Sequence, residues 1–278
     1  MLLFNYGRYF LKNCVNYYCN YKALIPNHIN SEKKFCQRNF GFTLVEVLIT
    51  LFIVGIVAAL TIPILMQNSN DRTTVAALKK AYSILSSAYI LAEQESGTPE
   101  NWNLIANVSP QGGENILNTL APYLSLTKKC GRASGCFPPE KYKYLNGSDY
   151  LSYDSDIRFA KAQLADGSVL LVYVIKPLCD GAWGTSEALN SACGYAVIDT
   201  NGSKKPNQVG NDTFHFYLTK KGFIPAGTPA DTQFTFSGEC KNKTTAAGFS
   251  CAAWVLSNEN EDYFKCNDLD WNTKTQCN

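Results

Sequence analysis

One apolar run dominates the pattern of hydrophobic and polar positions along the chain. From Leu44 to Met66 there are 23 residues, and Glu46 is the only charged one among them. A helix of that length rises about 35 Å, which is enough to cross a bilayer core of about 30 Å. Because most of the run is aliphatic or Phe, its transfer energy outweighs the cost of about 3 kcal/mol for one buried acid. We therefore predict a membrane-spanning helix that carries an acidic side chain.

Beyond Met66 the apolar positions become periodic. They recur every three or four residues, as on one face of a helix: Val75, Leu78, Tyr82, Leu85, Tyr89 and Ala92. Ser96-Gly97-Thr98-Pro99 ends the pattern. The spacing predicts one long helix from about Thr43 to Glu95, amphipathic over 67–95. Its apolar first half, over 42–66, must be covered by lipid or by the same half of other copies of the chain.

The remaining residues, 96–278, predict a globular α+β head. A short helix carries four apolar residues on one side: Ile116, Leu117, Leu120 and Leu124. Strands are predicted from short apolar-rich runs separated by turn residues, over 157–164, 168–175, 195–198, 213–218 and 251–256. In the fourth of these, His215 alternates with Phe214 and Phe216, which predicts a solvent-facing histidine. The fold class that follows is a long helix packed on an antiparallel sheet.

Charge divides the chain near residue 41. The formal net charge is +2, but residues 1–41 hold six Lys or Arg and a single acid. Lys33, Lys34 and Arg38 precede the apolar run, and the next positive charge is Arg72. Because positive flanks stay in the cytoplasm, the head is predicted on the outer side of the membrane. The exported part is mildly acidic, so bulk charge gives no support to a nucleic-acid partner.

The cysteines divide at the same place. Cys14, Cys19 and Cys36 precede the apolar run, and none lies between Phe42 and Lys129. The other eight are Cys130, Cys136, Cys179, Cys193, Cys240, Cys251, Cys266 and Cys277. An even number in an exported part predicts four disulfides. The sequence leaves 105 pairings open, of which the local one (130–136, 179–193, 240–251, 266–277) is favoured because short loops close most easily. Zinc is a weaker interpretation, because no CxxC pair is present and His215 is the one histidine after the run.

The start of the apolar run resembles a known motif. Gly41-Phe42-Thr43-Leu44-Val45-Glu46, followed by about twenty apolar residues, is similar to the N-terminal motif of type IV prepilins and of the pseudopilins of type II secretion. The resemblance implies a pilin-like fold, a leader peptide over 1–41, cleavage between Gly41 and Phe42 by a prepilin peptidase, and N-methylation of Phe42. It also implies assembly with sister subunits on an inner-membrane platform, into a periplasmic or cell-surface filament.

Glu46 has two interpretations. Cleavage would create an amine at Phe42, one helical turn away, and a unit charge pair at 4 Å is worth about 4 kcal/mol at an effective dielectric of 20. The carboxylate could neutralise this amine within its own chain, where the helix N-terminus also favours negative charge. Alternatively, it could meet the Phe42 amine of a neighbouring subunit and set the register of a filament, which the family resemblance favours.

The loop between the third and fourth predicted strands is rich in oxygen-bearing side chains. Asp199, Asn201 and Asp212, with Asn207 between them, offer the ligands that calcium prefers. The loop is also similar to the calcium-binding loops of major pseudopilins. The alternative is an Asn-Gly turn whose polar side chains bond their own backbone. The sequence therefore leaves a calcium site and a purely structural turn as alternatives, and such loops are more often plain turns.

Other functions are less well supported. Lys204/Lys205 and Lys220/Lys221 form basic doublets that could bind DNA together with Phe214, His215 and Tyr217, but such doublets are more often solvated turns. The chain has no GxSxG, HExxH or phosphate-binding glycine loop, so we expect no enzyme.

We therefore predict a structural subunit of a type IV pilus or type II secretion pseudopilus. A head of about 180 residues is large for a filament's repeating unit, which favours a minor subunit. The alternative is a singly anchored, exported binding domain that never polymerises. A plain anchor gains nothing from an acid inside its span, so Glu46 discriminates between the two.

Overall fold

The computed structural model describes residues 41–106, 112–243 and 247–277, and for residues 63–70 it describes the backbone alone. The predicted leader, apart from Gly41, lies outside these residues, as do its three cysteines. Within the described ranges the helices are α1 (Leu44–Ser96), α2 (Gly112–Leu120), α3 (Phe236–Glu239) and α4 (Ala252–Asn258). The strands are β1 (Leu126–Gly131), β2 (Ala160–Leu164), β3 (Val169–Val174), β4 (Ala192–Asp199), β5 (Thr213–Thr219) and β6 (Gly222–Pro225).

Helix α1 has 53 residues, which agrees with the predicted helix to within one residue at each end. Its head half buries one stripe, at spacings of three or four for the most part: Val75, Leu78, Ala81, Leu85, Ala88, Tyr89 and Ala92. Tyr82 is half-buried and stacks on Phe216 of β5, with ring centroids 5.6 Å apart. Burial of such a stripe stabilises a helix far more than intrinsic propensity does.

The six strands form one antiparallel sheet in sequence order, from β1 to β6. Alternate residues of the central strands join the main core with α1 and α2: Ala160, Ala162, Leu170, Val172, Ala196, Ile198, Phe214, Phe216 and Leu218. The fold is thus α+β, with a long helix against an antiparallel sheet, as predicted. Strand β1 carries Lys128 and Lys129, and β6 is short and ends in Pro225. Lysines, short strands and proline are the features that protect sheet edges from further pairing.

His215 does not face solvent, so that prediction was wrong. The histidine is 3% exposed, because a segment carrying Phe234 and Phe249 covers the second face of the sheet. The Phe249 ring lies edge-on to the imidazole, at 4.9 Å between centroids. Burial lowers the pKa of His215 to about 3, which keeps the ring neutral. Strands β4 and β5 are accordingly buried on both faces.

The predicted strand over 251–256 is also wrong, because most of this run belongs to α4 (Ala252–Asn258). A short apolar run does not distinguish a strand from a buried helix. The tertiary structure decides for the helix by seating Trp254 on Phe236, with stacked rings 4.1 Å apart. Strands β1 and β6 were not predicted, since β1 is polar and β6 has only four residues.

Four disulfides join the eight cysteines of the head. They link Cys130 to Cys136, Cys179 to Cys193, Cys240 to Cys251 and Cys266 to Cys277. This is the local pairing that short loops favour. The last bridge holds the C-terminal segment, which follows α4.

Candidate processing, assembly and cation sites

The N-terminus of α1 is closed by a capping box between Thr43 and Glu46. The Thr43 backbone N–H and hydroxyl both donate to Oε2 of Glu46, each at 2.9 Å. The Glu46 backbone N–H donates in return to Oγ1 of Thr43, at 3.2 Å. This exchange satisfies donors that the first turn of a helix otherwise leaves free. Thr-x-x-Glu is its sequence signal, although only the Phe42 amine was predicted as a side-chain partner of Glu46.

The capping box leaves half of the Glu46 carboxylate available. Both hydrogen bonds go to Oε2, and Oε1 has no partner among the residues that the structure describes. The surrounding helix is strongly apolar and exposed: Leu44–Ile62 has a mean hydropathy of 2.6, and none of it is buried. An acid so placed is costly in lipid unless it is paired. The geometry thus provides one internal partner and one free carboxylate oxygen.

The residues predicted for processing, Gly41 and Phe42, precede the helix and are exposed. The Phe42 side chain is 85% exposed. A Cβ added at Gly41 would meet no atom within 4 Å. The described fold therefore tolerates a larger residue at this position.

The structure brings Asp199 and Asp212 together in the loop between β4 and β5. Asp199 is fully buried; its Oδ1 accepts the N–H groups of Asn201 at 3.1 Å and Gly202 at 2.8 Å, and its Oδ2 accepts the Tyr142 hydroxyl. Asp212 is 2% exposed, and its Oδ2 accepts the Asn207 N–H at 2.8 Å. Burial, and then the charge of Asp212, raise the pKa of Asp199 to about 8. Burial also raises the pKa of Asp212.

Two amide oxygens in this loop are buried without a partner. They are Oδ1 of Asn201 and Oδ1 of Asn207. Asn207 has a left-handed backbone, with φ at 53°. A buried carbonyl oxygen without a donor is costly, so both amide oxygens are open to a cation. The donor set fits calcium in chemistry, because it consists of oxygens alone. Within the described residues no group of three or more His, Cys, Asp and Glu side chains is suited to a metal.

Tyr142 is a member of this loop cluster that sequence reasoning missed. Its hydroxyl donates to Asp199, which lies 57 residues further along the chain. Burial and the Asp199 charge raise the pKa of Tyr142, so the phenol stays protonated as a donor. No local sequence pattern could have revealed this contact, because the two residues meet only in the tertiary structure.

The basic doublets do not combine with the aromatics proposed for DNA stacking. Phe214 and Tyr217 are fully buried, as is nearly all of His215. Lys220 pairs with Glu100 at 3.2 Å, and Lys221 pairs with Glu187 at 3.2 Å. Since base stacking needs accessible rings, these residues do not form a single-strand binding surface.

Comparison with known proteins places one motif on the chain. Residues 36–62 match the family model described as the prokaryotic N-terminal methylation motif. This motif is the signature of type IV pilins and pseudopilins, which are structural, non-enzymatic proteins, and it covers about a tenth of the chain. The comparisons with curated proteins and with solved structures each gave no match. The motif, the apolar helix and the disulfide-bonded sheet together fit an inner-membrane anchor with an exported head.

Proposed function

We propose that this chain is a subunit, in a minor role, of a type IV pilus or a type II secretion pseudopilus. Prepilin peptidase cuts between Gly41 and Phe42 and removes the leader 1–41, and Phe42 is then N-methylated. Residues 42–66 act as membrane span and assembly helix, 67–95 hold the head, and 96–278 form the head. The observation that carries the proposal is an exposed apolar helix with a partly paired acid, Glu46, at the fifth position after the predicted cleavage site.

Assembly follows from the arrangement of charges at Glu46. In the lone subunit Thr43 holds Oε2, so the acid is tolerated in the membrane. In the filament, Oε1 receives the Phe42 amine of a neighbouring subunit. The neighbour's charge compensates the carboxylate, and the apolar faces of 42–66 cover one another. The chain is therefore structural and performs no catalysis of its own. Its partners are prepilin peptidase, the inner-membrane assembly platform and sister subunits in a periplasmic or cell-surface filament.

Intact-mass measurement on chain purified from the native cell tests processing. The mature mass should begin at Phe42 and include one methyl group. Gly41→Ala should accumulate uncut chain. Because the added methyl contacts nothing in the fold, that result would report a loss of recognition by the peptidase and not a loss of folding. Leu44→Ala, which also removes no buried contact, serves as the matched control and should be cut normally. Mature chain that still carries residues 1–41 would contradict the proposal.

The composition of sheared filaments distinguishes the proposed subunit from the alternative, a monomeric anchored binding domain. Filaments from cells that express the chain should contain it in a fixed, substoichiometric ratio to a more abundant subunit. If the chain is processed and exported but never sediments with filaments, the anchored binding domain is the correct interpretation.

We further propose that the β4–β5 loop binds Ca²⁺ through Asp199, Asn201 and Asp212, with Asn207 as a fourth ligand. The two unpartnered amide oxygens favour it over a plain turn. Ca²⁺ at a hundred times its dissociation constant should stabilise the fold by about 2.7 kcal/mol. Asp212→Asn should abolish that gain, while Asp268→Asn, at an exposed acid, should retain it. No change in melting temperature at millimolar Ca²⁺ would rule the site out.

A further inference from the structure

Two ion pairs join the C-terminal residues 259–277, which we call the strap, to the head half of α1. Lys265 Nζ lies 2.9 Å from Oδ2 of Asp71. Glu259 Oε1 lies 2.6 Å from Nζ of Lys79, two helical turns further along α1. The Lys265–Asp71 pair is the better shielded, with side chains 34% and 21% exposed against 41% and 67% in the Lys79–Glu259 pair. Because exposed pairs contribute little, the Lys265–Asp71 pair contributes more to the attachment than the Lys79–Glu259 pair does.

The position of Asp71 makes this attachment important for α1. Asp71 lies one helical turn before Val75, which is the first buried residue of α1 among those described. The strap thus holds α1 at the point where the head begins to bury it. Without the ion pair, the first turn that the head holds firmly would start at Val75 or beyond.

Asp262 connects this ion pair to the Cys266–Cys277 disulfide. Its Oδ1 accepts a hydrogen bond from Lys265 Nζ at 3.1 Å, and its Oδ2 accepts the backbone N–H of Cys277 at 2.8 Å. The disulfide keeps Cys277 next to Asp262, although the two residues are 15 positions apart. Without it, closing that loop would cost conformational entropy. The carboxylate therefore links the bridge to the lysine that holds α1.

Lys265 also separates like charges. Asp71 and Asp262 both lie against its ammonium group, at 2.9 Å and 3.1 Å. The hydrogen bond to Asp71 is the main cause that raises the pKa of Lys265. Loss of this cation would leave two neighbouring carboxylates unpaired, and they would repel the strap from α1.

We propose that the strap is an oxidation-dependent latch on α1. When Cys266 and Cys277 are joined, Asp262 positions Lys265 on Asp71, and the turn of α1 that begins at Asp71 is fixed to the head. When they are reduced, Asp262 loses the Cys277 N–H, the strap frays, and that turn of α1 is released. The head then holds a shorter part of α1, the helix that carries the assembly motif, in a fixed position.

The latch closes by ordinary thiol–disulfide exchange. The thiolate of one cysteine attacks a disulfide oxidant and forms a mixed disulfide, and the second cysteine's thiolate then displaces the oxidant as a dithiol. Two protons and two electrons leave the cysteine pair, and the oxidant takes up both electrons. A dithiol reductant reverses the process. The latch thus closes after export, where disulfides persist.

Hydrogen exchange on the full chain in detergent micelles tests the latch. Residues 71–80 should exchange about tenfold faster in Lys265→Met and in the double variant Cys266→Ala/Cys277→Ala than in wild type. Lys274→Met is the matched control: it removes an ion pair to Asp268 of 2.6 Å inside the strap that does not involve α1. This control should leave residues 71–80 unchanged. Amides of β4 and β5 report whether each variant still folds.

Combining the changes distinguishes a latch from two separate contacts. The triple variant Lys265→Met/Cys266→Ala/Cys277→Ala combines the two changes. Its residues 71–80 should exchange no faster than those of the faster parent variant, since both changes act through one contact. The proposal would be overturned if the fold-changes of the two parents multiply in the triple variant, or if either parent leaves protection at 71–80 unchanged. It would also be overturned if β4 and β5 lose as much protection as residues 71–80.

Discussion

Thr43 and Glu46 exchange hydrogen bonds across the first turn of α1, with the threonine N–H and hydroxyl both on Oε2 of the carboxylate. The acid within the apolar helix therefore has a partner in its own chain before any other subunit arrives. This contact changes how a substitution of Glu46 must be interpreted, because two different properties of the side chain can be lost: its cap and its charge.

Glu46→Gln separates the charge from the cap. Glutamine is an accepted capping-box residue, so the helix start, membrane insertion and head fold should persist. Incorporation into sheared filaments should nevertheless fall at least tenfold, because a charge pair worth about 4 kcal/mol is lost. Glu46→Leu should fail equally. The measurement is the ratio of variant to wild type in filaments from cells that express both chains.

Thr43→Val is the complementary control for Glu46. It removes the hydroxyl but keeps the backbone N–H and the charge, and should cost about 1 kcal/mol of helix stability. Filament incorporation should be close to wild type. If Glu46→Gln assembles normally while Thr43→Val does not, the cap and not the charge is what assembly needs.

The disulfides should leave no free thiol after Phe42 in unreduced protein. Alkylation under denaturing conditions followed by intact mass checks this directly. Removing Cys179 and Cys193, which are 2% and 0% exposed, should destabilise the head by about 3 kcal/mol on the loop-entropy argument. Detection of two or more alkylated thiols would contradict the four-bridge scheme.

Glu261 should make the head less stable as the pH rises. Burial, followed by the charge of Asp71, raises its pKa from 4.5 to about 9. Because the folded state binds the proton more tightly, Glu261 adds to the free energy of unfolding. This contribution is fully present below about pH 4.5 and is lost as the pH rises towards 9. Between pH 4.5 and 7 the loss is on the order of 3 kcal/mol.

Glu261→Gln should remove this pH dependence and raise stability at pH 7. Urea unfolding of wild type and variant at pH 5 and pH 7 measures the effect. Glu259→Gln, at an exposed neighbour (67% side-chain exposure), should leave the slope as it is. An unchanged slope in Glu261→Gln would show that this carboxyl ionises freely in the folded head.

Gly227→Ala should destabilise the head by more than about 3 kcal/mol. The residue has a φ of 91°, and an added Cβ would lie 1.9 Å from the Ser250 carbonyl oxygen. Gly147→Ala provides the comparison, since φ is 81° there and nothing lies within 4 Å. That variant should cost about 1 kcal/mol, from backbone strain alone. Similar losses in both variants would mean that the Ser250 backbone can move aside.

Periodicity and motif spacing were sufficient to predict parts of this protein that depend on local contacts. The extent of α1 follows from an apolar run continued by a stripe at spacings of three and four. The head's local disulfide pairing follows from an even cysteine count and short loops. The Thr43–Glu46 cap also has a local signal, because its partners are three residues apart, but it was not predicted.

Contacts between distant segments were decided by the tertiary structure alone. The run 251–256 satisfies either a strand or a helix pattern, and Trp254 became helical because the Phe236 ring offered a stacking partner. His215 alternates with core residues and so looked exposed, until a distant segment covered that face of the sheet. Tyr142 on Asp199, and Lys265 on Asp71, join residues 57 and 194 positions apart. Such pairs leave no periodic trace in a sequence, because burial and charge select them only after the chain has folded.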